Sequence, residues 1–247
     1  SLALAQLADE DIAALKARAE AEGWSFEVGK NAATQRTMDQ LCGLKKPGNW
    51  RDGARFTTFP PAPRQLPSYF DWRDVGGVPP IRDQGPCGSC WAFGTVGPLE
   101  SNILIKDAVG ADLSEQWLLS CNQDGWSCSG GWWAHDYHSG AATDPCAGTG
   151  AVMEADFPYA AADLSCDCPY DHYYLIDSWA YIGTGEGLGT IPPVEAIKQA
   201  ILDYGPVSVA VYVDSAFQAY TGGVFDAPGT GVINHAVVLV GWDDNQG

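Results

Sequence analysis

Residues 84–94 read Gln84-Gly85-Pro86-Cys87-Gly88-Ser89-Cys90-Trp91-Ala92-Phe93-Gly94. A tight Gly/Pro turn leads into two cysteines three positions apart, and the second opens a helix-compatible run. A thiol is a good nucleophile when held as a thiolate. A helix N-terminus favours that anion, because its unpaired N–H groups and its dipole both present positive charge there. Cys90 therefore has the setting of a reactive thiol and Cys87 that of a structural one. The competing reading is a redox or zinc half-site, but metal binding gives no role to Gln84 or to Trp91-Ala92-Phe93.

Working outward, a thiolate needs a base and donors for an oxyanion. The chain has four histidines. His135, His138 and His172 lie in polar or aromatic surroundings, and His135-x-x-His138 reads as a solvated helix face. His235 opens an apolar run, His235-Ala236-Val237-Val238-Leu239-Val240-Gly241-Trp242, after Gly231-Val232-Ile233-Asn234. A strand-borne imidazole would be rigidly held opposite a helix-borne thiol, although a satisfied core histidine is the plainer reading for His235 alone.

The periodicities divide the chain in two. Helices are expected over 7–22, ended by Gly23, from Cys90 to about Lys106, from Ser114 as N-cap, over 132–140, and from Pro192-Pro193 to Tyr204. Strands are expected over Tyr173–Ile182, Val207–Val213 and 235–242, with Val207, Val209, Val211 and Val213 alternating. A helical half before a β-rich half is an α+β plan with a cleft between. The Pro-rich stretch 60–67 reads as a linker.

Charge is unevenly placed. The net charge is −18. Residues 1–66 hold nine Lys/Arg against eight Asp/Glu, and residues 67–247 hold four against 23. Within the first part, residues 30–66 carry a net +5. The acidic body excludes nucleic acid as a partner, since phosphate contacts need clustered Lys/Arg. The basic arm is expected to lie along that body as an electrostatic latch that acid and salt loosen. No run of 18 apolar residues spans a membrane. Eight cysteines indicate an oxidising compartment, secreted or lumenal and lysosome-like. Setting aside Cys42 and Cys90, six cysteines allow 15 pairings. Zinc at Cys146, Cys166 and Cys168 is the competing idea, but Cys-x-Cys is poor chelate spacing, so no metal or cofactor is expected.

From residue 66 onward the chain resembles the papain-family cysteine peptidases. The agreeing pieces are Gln84 to Gly94, Leu113-Ser114-Glu115-Gln116, Cys128-Ser129-Gly130-Gly131, Phe157-Pro158-Tyr159, Gly205-Pro206-Val207-Ser208-Val209, Tyr220-Thr221-Gly222-Gly223-Val224-Phe225, Asn234-His235-Ala236 and Gly241-Trp242. Cys-Gly-Ser-Cys-Trp is an established local signature of papain and cathepsin nucleophiles. The resemblance implies a two-lobed fold: a helical lobe whose central helix bears the cysteine, and a β-barrel-like lobe bearing the histidine. It implies Cys90 as nucleophile and His235 as base, resting as thiolate and imidazolium. It gives the oxyanion hole to the Gln84 amide and the Cys90 N–H, the strand pairing of an extended substrate to Gly130 and Gly131, and the specificity pocket to Trp133, Ala210 and Asn234. It selects disulfides Cys87–Cys128 and Cys121–Cys166, leaving Cys146 to pair with Cys168.

Residues 1–66 resemble a short cathepsin-B-like prosegment at Trp24 and at Leu41-Cys42-Gly43-Leu44 followed by Lys45-Lys46-Pro47. Such segments run through the cleft opposite to substrate. The expected domains are thus a prosegment, 1–66, and a peptidase domain, 67–247, in a monomeric endopeptidase acting on polypeptides. The His-His insertion of cathepsin B is absent between Cys128 and Phe157. The family's Asn-Ser-Trp motif, whose Asn orients the histidine, is expected beyond Gly247 with the last strands. A catalytically inactive papain-fold binding protein is the alternative.

Overall fold

The computed structural model describes residues 6–58, 65–183 and 191–246. Residues 60–64 of the expected linker lie outside them. The first helix, α1 (Asp9–Glu22), opens with Asp9, Glu10 and Asp11, which suit the positive end of a helix dipole. It stops at Gly23, which takes the left-handed conformation (φ 69°) and donates its N–H to the Ala19 carbonyl. Leu7 falls outside the helix; its N–H is taken by the Thr34 carbonyl. Strand β1 (Phe26–Val28) follows, then a short helix α2 (Met38–Leu41). The Thr37 hydroxyl accepts from Gln40 N–H while the Gln40 side chain accepts from Thr37 N–H, a reciprocal cap that fixes where α2 begins.

After β2 (Phe56–Thr57) and β3 (Tyr69–Asp71) comes the long helix α3 (Cys90–Asp107), then α4 (Glu115–Cys121) and α5 (His135–Ser139). Ser114 caps α4 by accepting from Trp117 N–H. The main buried cluster gathers here, around Trp91, Val96, Ile103, Leu113, Trp117 and Leu118. Three disulfides lie in the same half: Cys87–Cys128, Cys121–Cys166 and Cys146–Cys168.

The second half comprises β4 (Tyr181–Ile182), α6 (Val194–Tyr204), β5 (Val207–Val211), α7 (Ser215–Gln218), β6 (Tyr220–Gly223), β7 (His235–Leu239) and β8 (Gly241–Asp243). β5 and β7 are antiparallel, with Val211 opposite His235 and Ala210 opposite Ala236. β8 pairs with β3, and β1 of the N-terminal segment pairs with β6.

Two expected strands differ. Over 173–182 only Tyr181–Ile182 forms a strand, with an isolated bridge from Tyr173 to Ala151. The side chains favour strand, but Tyr174 sits at φ 48° and Ile176 N–H donates to the His138 carbonyl, so loops rather than a ladder satisfy this backbone. The run 235–242 splits between β7 and β8 because the Val240 carbonyl turns to accept from Trp72 N–H, and β8 then pairs with β3. The pair His135 and His138 differs too. It is no solvated face: His138 is buried and stacks on Trp117 with ring centroids 5.9 Å apart.

The contact of α3 with β7 positions the site. A Cβ on Gly94 would stand 2.9 Å from Ala236 Cβ and 3.1 Å from the Trp133 ring, so glycine permits this close crossing. Pro98, inside α3, has no N–H to give to the carbonyl four residues earlier, that of Gly94. The Ser208 hydroxyl of β5 donates to that carbonyl instead. A helix defect thus becomes a joint between the two halves.

Candidate active site

Cys90 is the first residue of α3, and it is only 1% exposed. What covers it is the chain's own segment 40–45, which we term the strap. Gly43 N–H donates to Cys90 Sγ at 3.3 Å. The Gln84 side-chain Nε2 donates to the strap carbonyls of Gln40 (3.1 Å) and Leu41 (3.0 Å), and to Cys87 O at 2.8 Å. Beyond the thiol, Gly131 N–H donates to Gly43 O at 2.9 Å and Lys45 N–H donates to Gly131 O at 2.8 Å, a parallel pairing centred on Leu44 and Gly131. Leu44 N–H donates to Asn234 O.

The strap fits with no room to spare. A Cβ on Gly43 would stand 1.6 Å from the Gly88 carbonyl oxygen, and one on Gly130 would stand 2.6 Å from the Gly43 carbonyl oxygen. Leu44 is 3% exposed and belongs to the buried cluster that includes Trp133 and Ala236, with Ala210 and Ile233 packed against it. The Asn234 side chain is engaged elsewhere: its Oδ1 accepts from Val213 N–H and its Nδ2 donates to Val213 O, fixing the end of β5, while its backbone carbonyl meets the strap.

His235 stands beside the same strap. The Leu41 carbonyl faces its imidazole and favours the protonated ring, but burial outweighs this and holds the imidazole below its usual range. Its Nδ1 is buried without a hydrogen-bond partner among the described residues. The Ala236 N–H, one residue on, points at the Cys90 sulfur. Burial pushes the Cys90 thiol up, against the opposing pull of N–H groups from Ala236, Gly43, Leu44 and Trp91. Burial thus acts against the charged form of each group in the covered site. Cys42, also free, is pushed up to about 12 by burial and then by proximity to Cys90.

Sequence reasoning gave Tyr159 no role beyond its motif. Its hydroxyl donates to the Gln84 backbone carbonyl at 2.7 Å and contacts the Ser89 hydroxyl, bracing the loop before α3. Only the phrase Phe157-Pro158-Tyr159 pointed to it. Among the described residues no cluster of His, Cys, Asp or Glu has metal-binding geometry.

A thiol at a helix start, a histidine on the strand that crosses it and a glutamine amide on a carbonyl over the thiol form one arrangement. Residues 66–247 match the family described as papain family cysteine protease. The chain belongs to the papain family of cysteine proteases. Its relatives within the family include digestive cysteine proteinase 2 of Homarus americanus, 33% identical over 90% of this chain and 68% of that protein. Cathepsin S of Bos taurus is 32% identical over 90% of this chain and 66% of its own length. The chain thus spans about two thirds of these two papain-family relatives. Among solved structures, digestive procathepsin L2 proteinase from Tenebrio molitor larval midgut aligns with a TM-score of 0.79 at 28% identity, over 95% of this chain and 75% of that one. A recombinant stem bromelain precursor aligns at 0.73 and 26% identity, over 94% and 72%.

Proposed function

We propose that the protein is a cysteine endopeptidase held latent by residues 1–66, its prosegment, with 67–247 carrying the peptidase domain. The observation that carries this reading is the strap. Its Leu41 carbonyl occupies the Gln84 amide while its Gly43 N–H caps the Cys90 sulfur. The Gly131 pairing is parallel, whereas a substrate presenting its carbonyl to Cys90 would run the other way. A segment so reversed fills the cleft without offering a bond to cut.

With the strap gone, water and the helix start favour the thiolate, and His235 takes the thiol proton. The thiolate attacks the peptide carbonyl. The Gln84 Nε2–H and the Cys90 N–H hold the developing oxyanion. His235 protonates the leaving amine, giving an acyl-enzyme, and then takes a proton from the water that hydrolyses it. Gly130 and Gly131 pair with the substrate backbone. Leu44 marks the pocket of Trp133 and Ala210 as the place of an apolar penultimate side chain. Three disulfides suit a secreted or lysosome-like compartment. Substrates are polypeptides, and the enzyme acts as a monomer, with no need of nucleic acid or membrane.

The alternative is an inactive papain-fold binding protein. To separate the two, the full chain is cleaved by limited proteolysis after the strap and treated with a thiol-directed peptidyl epoxide. Stoichiometric labelling mapped to Cys90, with hydrolysis of a peptide amide, supports the peptidase. Absence of both in a folded, processed chain establishes the binding protein.

A further inference from the structure

The strap does not end at Gly131. Trp50, five residues past Lys45, lies in a recess made by the other half of the chain. Its ring centroid is 5.0 Å from that of Tyr181, edge-on at 80°, and 6.5 Å from that of Trp132. Phe56 adds a second ring 5.5 Å from Tyr181. The recess walls are tied to one another by side-chain hydrogen bonds, while β4, which carries Tyr181, also pairs with β2 of the visiting segment, Tyr181 N–H donating to the Arg55 carbonyl. Trp132 Nε1–H donates to the Tyr181 hydroxyl at 3.0 Å, and Trp179, whose ring lies 5.1 Å from Tyr181, donates its Nε1–H to Asp136 Oδ1 at 2.7 Å. The ring-to-ring bond and the bond to Asp136 stay with the walls when the guest leaves, so the side chains keep these ties although β4 loses its pairing with β2.

Chain direction decides which part of a substrate this recess meets. Going from Leu41 to Trp50, the segment passes from the thiol, past Gly131, to Trp132 and Tyr181. A substrate running the opposite way lays its upstream residues over the same path. At about 3.3 Å per extended residue, those past the Gly131 pairing reach the ring of Trp132 and then Tyr181.

We infer that Trp132, Trp179 and Tyr181 form an aromatic subsite that selects peptide substrates with a Trp, Tyr or Phe about three to five residues upstream of the cleaved bond, and that Trp50 and Phe56 are its occupants in the precursor. This inference rests on the peptidase reading above. Burying one aromatic side chain, with edge-on ring contacts added, sets the expected preference at about 10- to 100-fold in kcat/KM over glycine.

The test uses the full chain processed by limited proteolysis and a set of fluorogenic peptides sharing one apolar penultimate residue. Glycine or Trp is placed in turn at the third, fourth and fifth upstream positions. The Trp peptide is expected to win at one of these positions through a lower KM, with kcat little changed. In Tyr181→Ala and Trp179→Ala that ratio of kcat/KM, Trp over Gly, falls toward one. If the wild-type enzyme cleaves the glycine peptides and shows no aromatic preference at any position, the subsite is wrong and the peptidase reading stands. If the ratio survives in both variants, the preference arises elsewhere and the assignment is overturned. If folded, processed enzyme cleaves none of the peptides and takes no epoxide, the peptidase reading fails first. Should either variant not fold, the wild-type comparison alone still decides.

Discussion

Two of the contacts between the N-terminal segment and the rest of the chain rest on different physics. At α1 and β1 an apolar cluster backs the β1–β6 pairing: Ile12, Leu15, Phe26 and Val28 are buried with Ala216 and Ala219, and Trp24 stacks on Phe26 at 4.7 Å. At the strap the contact is mostly backbone: carbonyls of Gln40 and Leu41 on the Gln84 amide, and N–H and C=O groups of residues 43–45 against Cys90, Gly131 and Asn234. The first grips far from the chemistry; the second covers it. Apolar burial is tolerant of direction and supplies affinity, whereas hydrogen bonds to fixed backbone and amide donors supply position. Gripping and covering are thus separable, and each can be broken alone.

The largest effect isolates the chemistry from both contacts. Cys90→Ser should abolish peptide hydrolysis by the processed chain and leave the precursor folded, with its Tm within a few degrees of wild type. Since the thiol is buried and not at the open surface, serine is the substitution that keeps its volume. A residual activity near wild type would reject Cys90 as nucleophile. Next, on the proposed mechanism Gln84→Ala removes one oxyanion donor and should lower kcat by roughly 10- to 1,000-fold with KM little changed. The same change takes two hydrogen bonds from the strap and none from the grip, so hydrogen exchange should quicken at residues 40–44 and stay slow in α1. Equal quickening in both regions would show that grip and cover open as one unit.

Phe26→Ala breaks the grip instead. Deleting a buried aromatic costs about 3–5 kcal/mol in a packed core, and part of that should appear as roughly 100-fold weaker inhibition of the processed enzyme by a 1–66 peptide. The smallest effect concerns charge. Arg36 and Asp83 form an ion pair joining the segment to the later chain, with two contacts of 2.7 and 2.8 Å. The Asp83 side chain is 67% exposed and that of Arg36 22%, so Arg36→Ala should weaken inhibition by no more than about fivefold, in line with a contribution of about 1 kcal/mol or less. Its pH dependence has a fixed sign. Arg36 lowers the Asp83 carboxyl to about 2, so the pair's contribution is present above the ordinary carboxylate range and is lost only as pH falls through about 2. Inhibition measured at pH 4 and pH 7 should therefore show no loss traceable to this pair; a drop at pH 4 that Arg36→Ala removes would contradict it.

Charge is also where the sequence was least legible. Summed along the chain, charge predicts a basic arm drawn to an acidic body, but not which groups meet: Lys30 pairs with Asp9 in its own segment and Arg36 with Asp83 across from it. Net charge has no geometry; an ion pair needs it. The motif around Cys90 and the glycine at 94 were legible because each satisfies a strict local demand, a thiol at a helix start and a close helix–strand crossing. The break after Leu239 and the loops over 173–180 were not, because side-chain propensity there favours strand and only distant backbone partners, Trp72 N–H and the His138 carbonyl, decide otherwise. Tyr181 escaped notice for the same reason: its meaning comes from Trp50 and Trp132, 131 and 49 positions away in sequence.

The Leu41 carbonyl sits where Gln84 donates, which on the proposed mechanism makes the strap and any substrate carbonyl rivals for one set of donors. Competition of this kind is reciprocal: whatever free energy the strap takes from a substrate, the substrate takes from the strap. A peptide that engages Gln84 and Gly131 is then also an effector of unmasking, and its own concentration sets how much enzyme stands open. Activation would be expected to accelerate as it proceeds, each opened molecule meeting substrate that keeps it open, so that the onset of activity is steeper than the number of cut chains alone would give.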